Sequence, residues 1–226
     1  MDLKRYLAEK REMINIALKD FLPEPEGPAA ELIKAMEYSI FAGGKRLRPI
    51  LCIAGAESVG GDGQAVLPVA CSLELIHTYS LIHDDLPAMD NDDFRRGKPA
   101  NHRVFGEAIA VLAGDGLLTE AFSLMANSNL SHKIDLHALM DVIALIGDAA
   151  GYKGMVGGQA VDIRMEGEEA GTSVVEFIHT HKTGVLIAAS VSSGAILGGG
   201  SQDQLEAIAG YGNGIGLAFQ ISDDIL

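Results

Sequence analysis

Hydrophobic residues recur every three or four positions along most of the chain. The clearest stripes comprise Leu32, Met36 and Ile40; Val69, Leu73, Ile76, Leu81 and Ile82; Val104, Ala108, Val111, Leu118, Phe122 and Met125; and Ile208, Gly212, Ile215 and Phe219. Residues with this spacing share one face of an α-helix. No segment of the sequence shows the convincing alternation of a strand. The pattern predicts an all-α fold, and the length favours one domain over residues 1–226.

Aspartates interrupt or follow three of these stripes. Asp115 falls within the third stripe, Asp84 follows the second, and Asp223 extends the fourth. Asp84 opens an acidic cluster at positions 84–90, and Asp223 opens another at 223–224. Carboxylates in apolar surroundings are costly unless a cation pairs them. Shared Mg²⁺ ions would explain both clusters, whereas a solvated acidic helix end is the alternative for the first.

The spacing of the first cluster needs a distorted helix. In a straight α-helix Asp84 and Asp90 would lie about 240° apart and would not bind one metal pair. Pro87 removes a helical hydrogen bond between them, and a distorted turn there would bring Asp90 back beside Asp84. Mg²⁺ is usually held by one or two carboxylates together with substrate phosphates. Zinc is disfavoured because His77 and His83 lack a familiar ligand spacing and no cysteine pair supports them.

Composition and charge limit the kinds of partner that the protein can bind and the cellular compartment in which it is expected. The net charge of −14 argues against nucleic acid, whose phosphates need clustered Lys and Arg. Cys52 and Cys71 do not make a disulfide framework, so a reducing cytoplasm is expected. The N-terminus has no apolar signal-peptide core. The apolar stretch 184–200 is too short and too rich in Gly and Ser to span a bilayer, which predicts a packed core helix and no membrane span.

Basic residues gather in three short segments. Residues 43–49 read Gly-Gly-Lys-Arg-Leu-Arg-Pro, a turn followed by cations and a proline at a plausible first helical position. Such a helix N-terminus suits phosphate, although a plain basic loop is the alternative. Arg95 and Arg96 would clamp a diphosphate or simply balance the neighbouring acids. Lys182 and Thr183 would meet a substrate phosphate, unless Lys182 extends to solvent.

Six segments then carry a family resemblance, in order along nearly the whole chain. They are GGKRLRP at 43–49, HTYSLIHDDLPAMDNDDFRRGKPANHRVFGE at 77–107, GDGLL at 114–118, GGQAVD at 157–162, HKTG at 181–184 and FQISDDIL at 219–226. They resemble the trans-isoprenyl diphosphate synthase, or polyprenyl synthetase, family, and bacterial farnesyl diphosphate synthases most closely. The resemblance implies an isoprenoid-synthase helical bundle around a central cavity, usually in a homodimer. Family members usually continue beyond the position of Leu226, so we expect the usual C-terminal helices to be lacking.

The resemblance also implies roles for individual residues. Mg²⁺, about three ions per active site with substrate bound, would be held by Asp84 and Asp90, with Asp85 in support, and by Asp223. The residues expected to hold isopentenyl diphosphate are Lys45, Arg48, His77 and Arg96. Those expected to contact the allylic diphosphate are Arg95, Lys182 and Gln220. Thr183 and the carbonyls near Lys182 and Gln220 would face the allylic cation.

The implied reaction condenses isopentenyl diphosphate with a C5 or C10 allylic diphosphate. In this family the residue five positions before the first aspartate often sets product length. Here it is Tyr79, a bulky ring, which favours the C15 product farnesyl diphosphate. A geranylgeranyl diphosphate synthase and an inactive truncated or partner subunit are the alternatives. A class I terpene cyclase is opposed by Asp223-Asp224 and by the basic segment 45–48.

Overall fold

The computed structural model describes residues 2–126, 134–168 and 171–225, with side chains through Phe219. Their regular secondary structure is almost entirely helical, which confirms the predicted all-α fold. The helices are α1 Leu3–Phe21, α2 Ala30–Ile40, α3 Leu47–Ser58, α4 Leu67–Asp84, α5 Asn101–Phe105, α6 Glu107–Met125, α7 Leu136–Ala150, α8 Met155–Met165, α9 Thr172–Ile178, α10 Val185–Leu197 and α11 Gln202–Ile225. A π-helical segment, His179–Gly184, joins α9 to α10.

Two compact units make up the chain. The first contains residues 1–50 and 71–127, and the second contains residues 51–70 and 128–226. That both belong to a single functional domain stays a prediction. The first unit carries the first acidic cluster and the first two basic segments, and the second unit carries Lys182 and Thr183.

The first unit is built on α4, whose side chains are buried on most of its circumference. Leu73, Ile76 and Ile82 are buried there, as the stripe predicted. Helix α1 begins after Asp2, whose carboxylate accepts hydrogen bonds from the main-chain N–H groups of Lys4 and Arg5, at 3.0 Å and 3.3 Å. Such a side-chain cap satisfies N–H groups that the helix itself leaves unbonded.

The stripe predicted on α6 was wrong. Val104 belongs to the short helix α5, and Gly106, with φ 83°, separates it from α6. The buried residues are four small ones, Ala110, Ala113, Gly114 and Ala121, and three large ones, Leu117, Leu124 and Met125, of which only Met125 belongs to the predicted stripe. Val111 and Asp115 are exposed. Because large hydrophobic residues occur on most sides of α6, they did not by themselves mark the face that packs.

Helix α6 is also long and apolar enough to cross a membrane by length and composition alone. Of the described helices it is the one that meets this test. Buried core helices meet the same criterion, so this feature is weak evidence for a membrane span. The helix packs within the first unit, where the Sδ atom of Met36 would lie 3.1 Å from a Cβ built on Gly116.

The second unit is centred on α10, the core helix predicted at 184–200. Leu186, Ile187 and Val191 are buried along it. Small residues let its neighbours approach closely. A Cβ added to Gly194 would lie 1.7 Å from the carbonyl oxygen of Cys52, and one added to Gly216 of α11 would lie 2.9 Å from the Cα of Gly184. The glycines within these helical patterns therefore serve close packing.

Candidate active site

The first acidic cluster begins where α4 ends. The helix stops at Asp84, so the expected kink at Pro87 is corrected to a helix end. Proline has no N–H and disfavours helical geometry at the residue before it, which explains the stop. The chain then turns back, and the N–H of Asp90 donates a 2.8 Å hydrogen bond to the carbonyl oxygen of Asp84. The expected return of Asp90 to Asp84 is confirmed at the level of the backbone.

Asp85 is paired with Arg95, which is the balancing of neighbouring acids that the sequence offered as the alternative role of this arginine. Its carboxylate, in a residue only 2% exposed, accepts hydrogen bonds from Arg95, at 2.8 Å from Nε and also from Nη2. Burial raises the pKa of Asp85, and the hydrogen bond and charge of Arg95 act against that rise. The supporting metal role expected for Asp85 therefore competes with a buried ion pair that anchors Arg95.

Arg95 and Arg96 lie on a short hairpin that strand patterning did not reveal. Strand β1 is Phe94–Arg95 and strand β2 is Lys98–Pro99, with Arg95 opposite Lys98. Arg96 and Gly97 both have positive φ, 54° and 76°, which is the geometry of a type I′ turn. The usual signal for this turn is Asn-Gly or Asp-Gly. In Arg96-Gly97 only the glycine matches this signal.

The hairpin brings Arg96 against the basic segment. Its Nη1 donates to the carbonyl oxygen of Gly43. A Cβ added to Gly44 would lie 2.8 Å from that same Nη1, so only glycine lets the guanidinium pack so closely on the backbone. Gly44 also has φ 134°, which side chains rarely adopt. The structure thus joins two segments that the sequence separates by about fifty residues.

The basic segment leads into a helix N-terminus, as predicted. Helix α3 begins at Leu47, and the N–H of Ile50 bonds the carbonyl oxygen of Arg46 at 3.1 Å. Pro49 is therefore the third helical residue and not the first. Lys45 is exposed, whereas Arg48 is only 8% exposed. The two expected ligands of isopentenyl diphosphate thus differ in their access to solvent.

The pKa of His77 on α4 is shifted by its surroundings. Burial, and then the charges of Arg48, Arg96, Arg46 and Arg95, lower the pKa of His77 well below its usual value. Both burial and nearby positive charge disfavour the protonated imidazole. His77 is therefore neutral at pH 7.

Tyr79 occupies the adjoining part of α4. It is 7% exposed, and its ring meets the His83 ring edge-on, with centroids 5.7 Å apart. His83 Nε2 lies 3.0 Å from the carbonyl oxygen of Val111, and Gly114 leaves room for the imidazole. Burial, and then the charge of Asp84, raise the pKa of Tyr79. A rigidly packed ring thus lies near the first aspartate, and its role in product length stays a prediction.

Lys182 and Thr183 lie in the π-helical segment of the second unit. Lys182 Nζ donates to Asp162 Oδ2 of α8 at 2.5 Å, so its side chain ends in an ion pair. A Cβ added to Gly158 would lie 2.3 Å from the Lys182 nitrogen, which shows how closely α8 approaches. Isolated π-helical turns occur frequently at functional sites. The side chains of Gln220 and Asp223 lie outside the described residues.

The donor set at the first cluster fits Mg²⁺ as a partner of substrate. Asp84 is half-buried and Asp90 is exposed, so both offer carboxylate oxygens near solvent. Within the described ranges, no group of three or more His, Cys, Asp and Glu side chains is arranged to hold a metal by itself. Mg²⁺ is commonly held by one or two carboxylates plus phosphate oxygens and waters. The pair therefore suits a metal that arrives with a diphosphate.

Comparison with known proteins bears directly on this geometry. The family model described as polyprenyl synthetase matches residues 29–226. The chain belongs to the polyprenyl synthetase family. Among solved structures, an FPP/GFPP synthase from Zymomonas mobilis in its apo form has a TM-score of 0.93 and 40% identity. That similarity covers 99% of this chain and 81% of the other.

The curated relatives of this family member have names that give different products. The farnesyl diphosphate synthase of Geobacillus stearothermophilus is 49% identical over 226 residues, which cover 100% of this chain and 75% of the relative. A heterodimeric geranylgeranyl pyrophosphate synthase large subunit 1 from Arabidopsis thaliana is also 49% identical. The match covers this chain completely but only 61% of the Arabidopsis protein's length. The relatives support a prenyltransferase and leave the product length open.

Proposed function

We propose that the protein condenses isopentenyl diphosphate with a C5 or C10 allylic diphosphate to give farnesyl diphosphate, with Mg²⁺ as cofactor. The observation that carries this proposal is the junction at the end of α4. There a carboxylate pair, Asp84 and Asp90, adjoins a hairpin whose Arg95 is anchored on Asp85. Carboxylates that bind metal and guanidinium groups that bind phosphate are the two parts that a metal–diphosphate site needs.

The proposed chemistry breaks an allylic C–O bond and a C–H bond, and it forms a C–C bond and an O–H bond. The allylic C–O bond ionises, its electron pair leaves with pyrophosphate, and the double bond of isopentenyl diphosphate attacks the resulting cation. A proton then leaves the new product for the released pyrophosphate. Mg²⁺ at Asp84 and Asp90 would supply neutralisation of the leaving group's charge. Arg95 contributes fixed positive charge for the same diphosphate.

The other diphosphate is assigned to the cationic cluster of the first unit. The charges of Arg48 and Arg96 act on His77, and the exposed Lys45 lies three positions before Arg48 in the sequence. We propose that these four side chains hold isopentenyl diphosphate. In this arrangement a neutral His77 acts as a hydrogen-bonding group, because burial and then the nearby guanidinium charges keep it unprotonated.

Roles in the second unit are proposed from the sequence alone. Lys182 and Gln220 are assigned to the allylic diphosphate, Thr183 to the cation and Asp223 to a further Mg²⁺. We also propose a cytoplasmic homodimer, supported by the two cysteines outside any disulfide framework and by family resemblance.

Incubation with Mg²⁺, isopentenyl diphosphate and geranyl diphosphate, followed by chromatography of the products, tests this function. We expect a C15 product. A C20 product would favour the geranylgeranyl alternative, which the names of several relatives also suggest. Absence of any condensation product would contradict the proposal and favour an inactive or partner subunit.

A further inference from the structure

Arg46 is the one cation of the basic segment to which the proposed function gives no task. It is 4% exposed, and its guanidinium group is bonded on three sides. Nε donates to Asn15 Oδ1 at 3.0 Å, Nη1 to Glu74 Oε1 at 2.6 Å, and Nη2 to the carbonyl oxygen of Ile40 at 2.6 Å. A group bonded in this way is unavailable to a diphosphate.

The three partners of Arg46 lie on three different helices. Asn15 belongs to α1, Ile40 ends α2, and Glu74 lies in the middle of α4. Arg46 itself is the residue before α3, with a φ of 54° that is uncommon for a residue with a side chain. The side chain thus fixes the loop between α2 and α3 against the rest of the first unit.

This loop and the α4 face hold the residues assigned to isopentenyl diphosphate. Lys45 immediately precedes Arg46 and Arg48 follows two positions later, while Glu74 is about one helical turn before His77. Glu74 also compensates the charge of Arg46, with 3% and 2% of the two side chains exposed. The pair therefore links the loop that carries Lys45 to the helix that carries His77.

We propose that the buried Arg46–Glu74 pair positions Lys45, Arg48 and His77 for isopentenyl diphosphate. Arg46 and Glu74 are positioning residues, because they act through neighbours and do not touch the substrate. The inference rests on the proposed function, since it names which substrate site the pair supports. It predicts selectivity: loss of the pair should weaken one diphosphate site and leave the other nearly unchanged.

The double variant R46M/E74L separates positioning from folding. Replacing both members of a buried ion pair by apolar residues of similar size is often neutral for stability, whereas removing one member leaves a buried charge. We expect a cooperatively unfolding protein that binds isopentenyl diphosphate about 10-fold to 100-fold more weakly by calorimetry. Its KM for geranyl diphosphate should change by less than about twofold. The surface pair variant R5M/E9L is the matched control and should change neither value.

Equal weakening of both substrates, or unchanged binding of isopentenyl diphosphate, would overturn the inference. If R46M/E74L does not fold, Asn15→Ala decides, because it removes one of the three bonds to Arg46. We then expect about threefold weaker binding of isopentenyl diphosphate, and no change would overturn the inference. Calorimetry measures the binding of isopentenyl diphosphate without turnover. If the protein has no condensation activity but its binding of isopentenyl diphosphate still depends on Arg46, that result contradicts only the proposed reaction.

Discussion

The main-chain N–H of Asp90 donates a 2.8 Å hydrogen bond to the carbonyl oxygen of Asp84 across Pro87. This bond returns the backbone of Asp90 to that of Asp84, whereas a straight helix would carry the two residues apart. The same turn directs the chain into the hairpin of Arg95 and Arg96. One local stop in α4 therefore assembles both the acidic and the cationic parts of the candidate site.

Pro87→Ala should weaken the metal site. Alanine allows α4 to continue past Asp84, which opposes the return of Asp90. We expect the Mg²⁺ concentration for half-maximal activity to rise about tenfold, as measured by product formation over a Mg²⁺ series. The exposed Pro23→Ala is the control. An unchanged Mg²⁺ requirement in Pro87→Ala would show that proline does not maintain the turn.

His77 should make stability depend on pH in the acidic range. Its pKa in the folded protein lies well below the ordinary 6.5, so below pH 6.5 the unfolded chain takes up a proton that the folded protein does not. The stabilising contribution is complete above pH 6.5 and is lost as the pH falls toward the lowered pKa. Urea unfolding at pH 7 and pH 5 should show that the free energy of unfolding falls less between the two pH values for His77→Gln than for the unmodified protein. The exposed His137→Gln should behave like the unmodified protein, and equal losses in all three would exclude this role.

The contact of α11 with the π-helical segment should tolerate no methyl group. A Cβ on Gly216 would lie 2.9 Å from the Cα of Gly184, and backbone cannot rotate away. We expect Gly216→Ala to lower the free energy of unfolding by about 1–3 kcal/mol. Gly210 on the same helix has open space around it, so Gly210→Ala should raise stability by up to about 1 kcal/mol. Chemical denaturation compares the two, and equal effects would contradict the close contact.

Tyr79→Ala should lengthen the product. The tyrosine ring is buried and braced by His83, so its removal opens space on α4 near Asp84. We expect the share of C20 product to rise, as resolved by chromatography. The exposed Tyr152→Ala should keep the original distribution. An unchanged distribution in Tyr79→Ala would remove this residue as the determinant of chain length.

Periodicity predicted the helical class and the inward face of α11 up to Phe219. That helix has one apolar side, which packs inward, and the opposite side faces solvent. It failed on α6, where Val111 and Asp115 are exposed and alanines pack inward. An apolar helix leaves its buried face undetermined when small residues make the closest contacts. The pattern also gave no sign of the π-helical turn at Lys182, which depends on packing against α8.

The candidate site was predictable in its residue types and not in its pairings. Lys45 and Arg46 are adjacent cations in the sequence, yet one is exposed and the other is buried against Glu74. Likewise Asp84 and Asp85 are adjacent acids, yet the first is half-buried and the second is buried against Arg95. Such differences arise from contacts between distant segments, which a single sequence does not specify.

The most direct test of the account compares Asp84→Asn, Asp90→Asn and the surface variant Asp148→Asn in the assay with Mg²⁺, isopentenyl diphosphate and geranyl diphosphate. Asparagine keeps the shape of each side chain but removes the charge that metal binding requires. We predict at least a roughly 100-fold loss of product formation for the first two variants and normal activity for Asp148→Asn. Full activity in Asp84→Asn and Asp90→Asn would contradict the central claim that this carboxylate pair holds the metal–diphosphate complex.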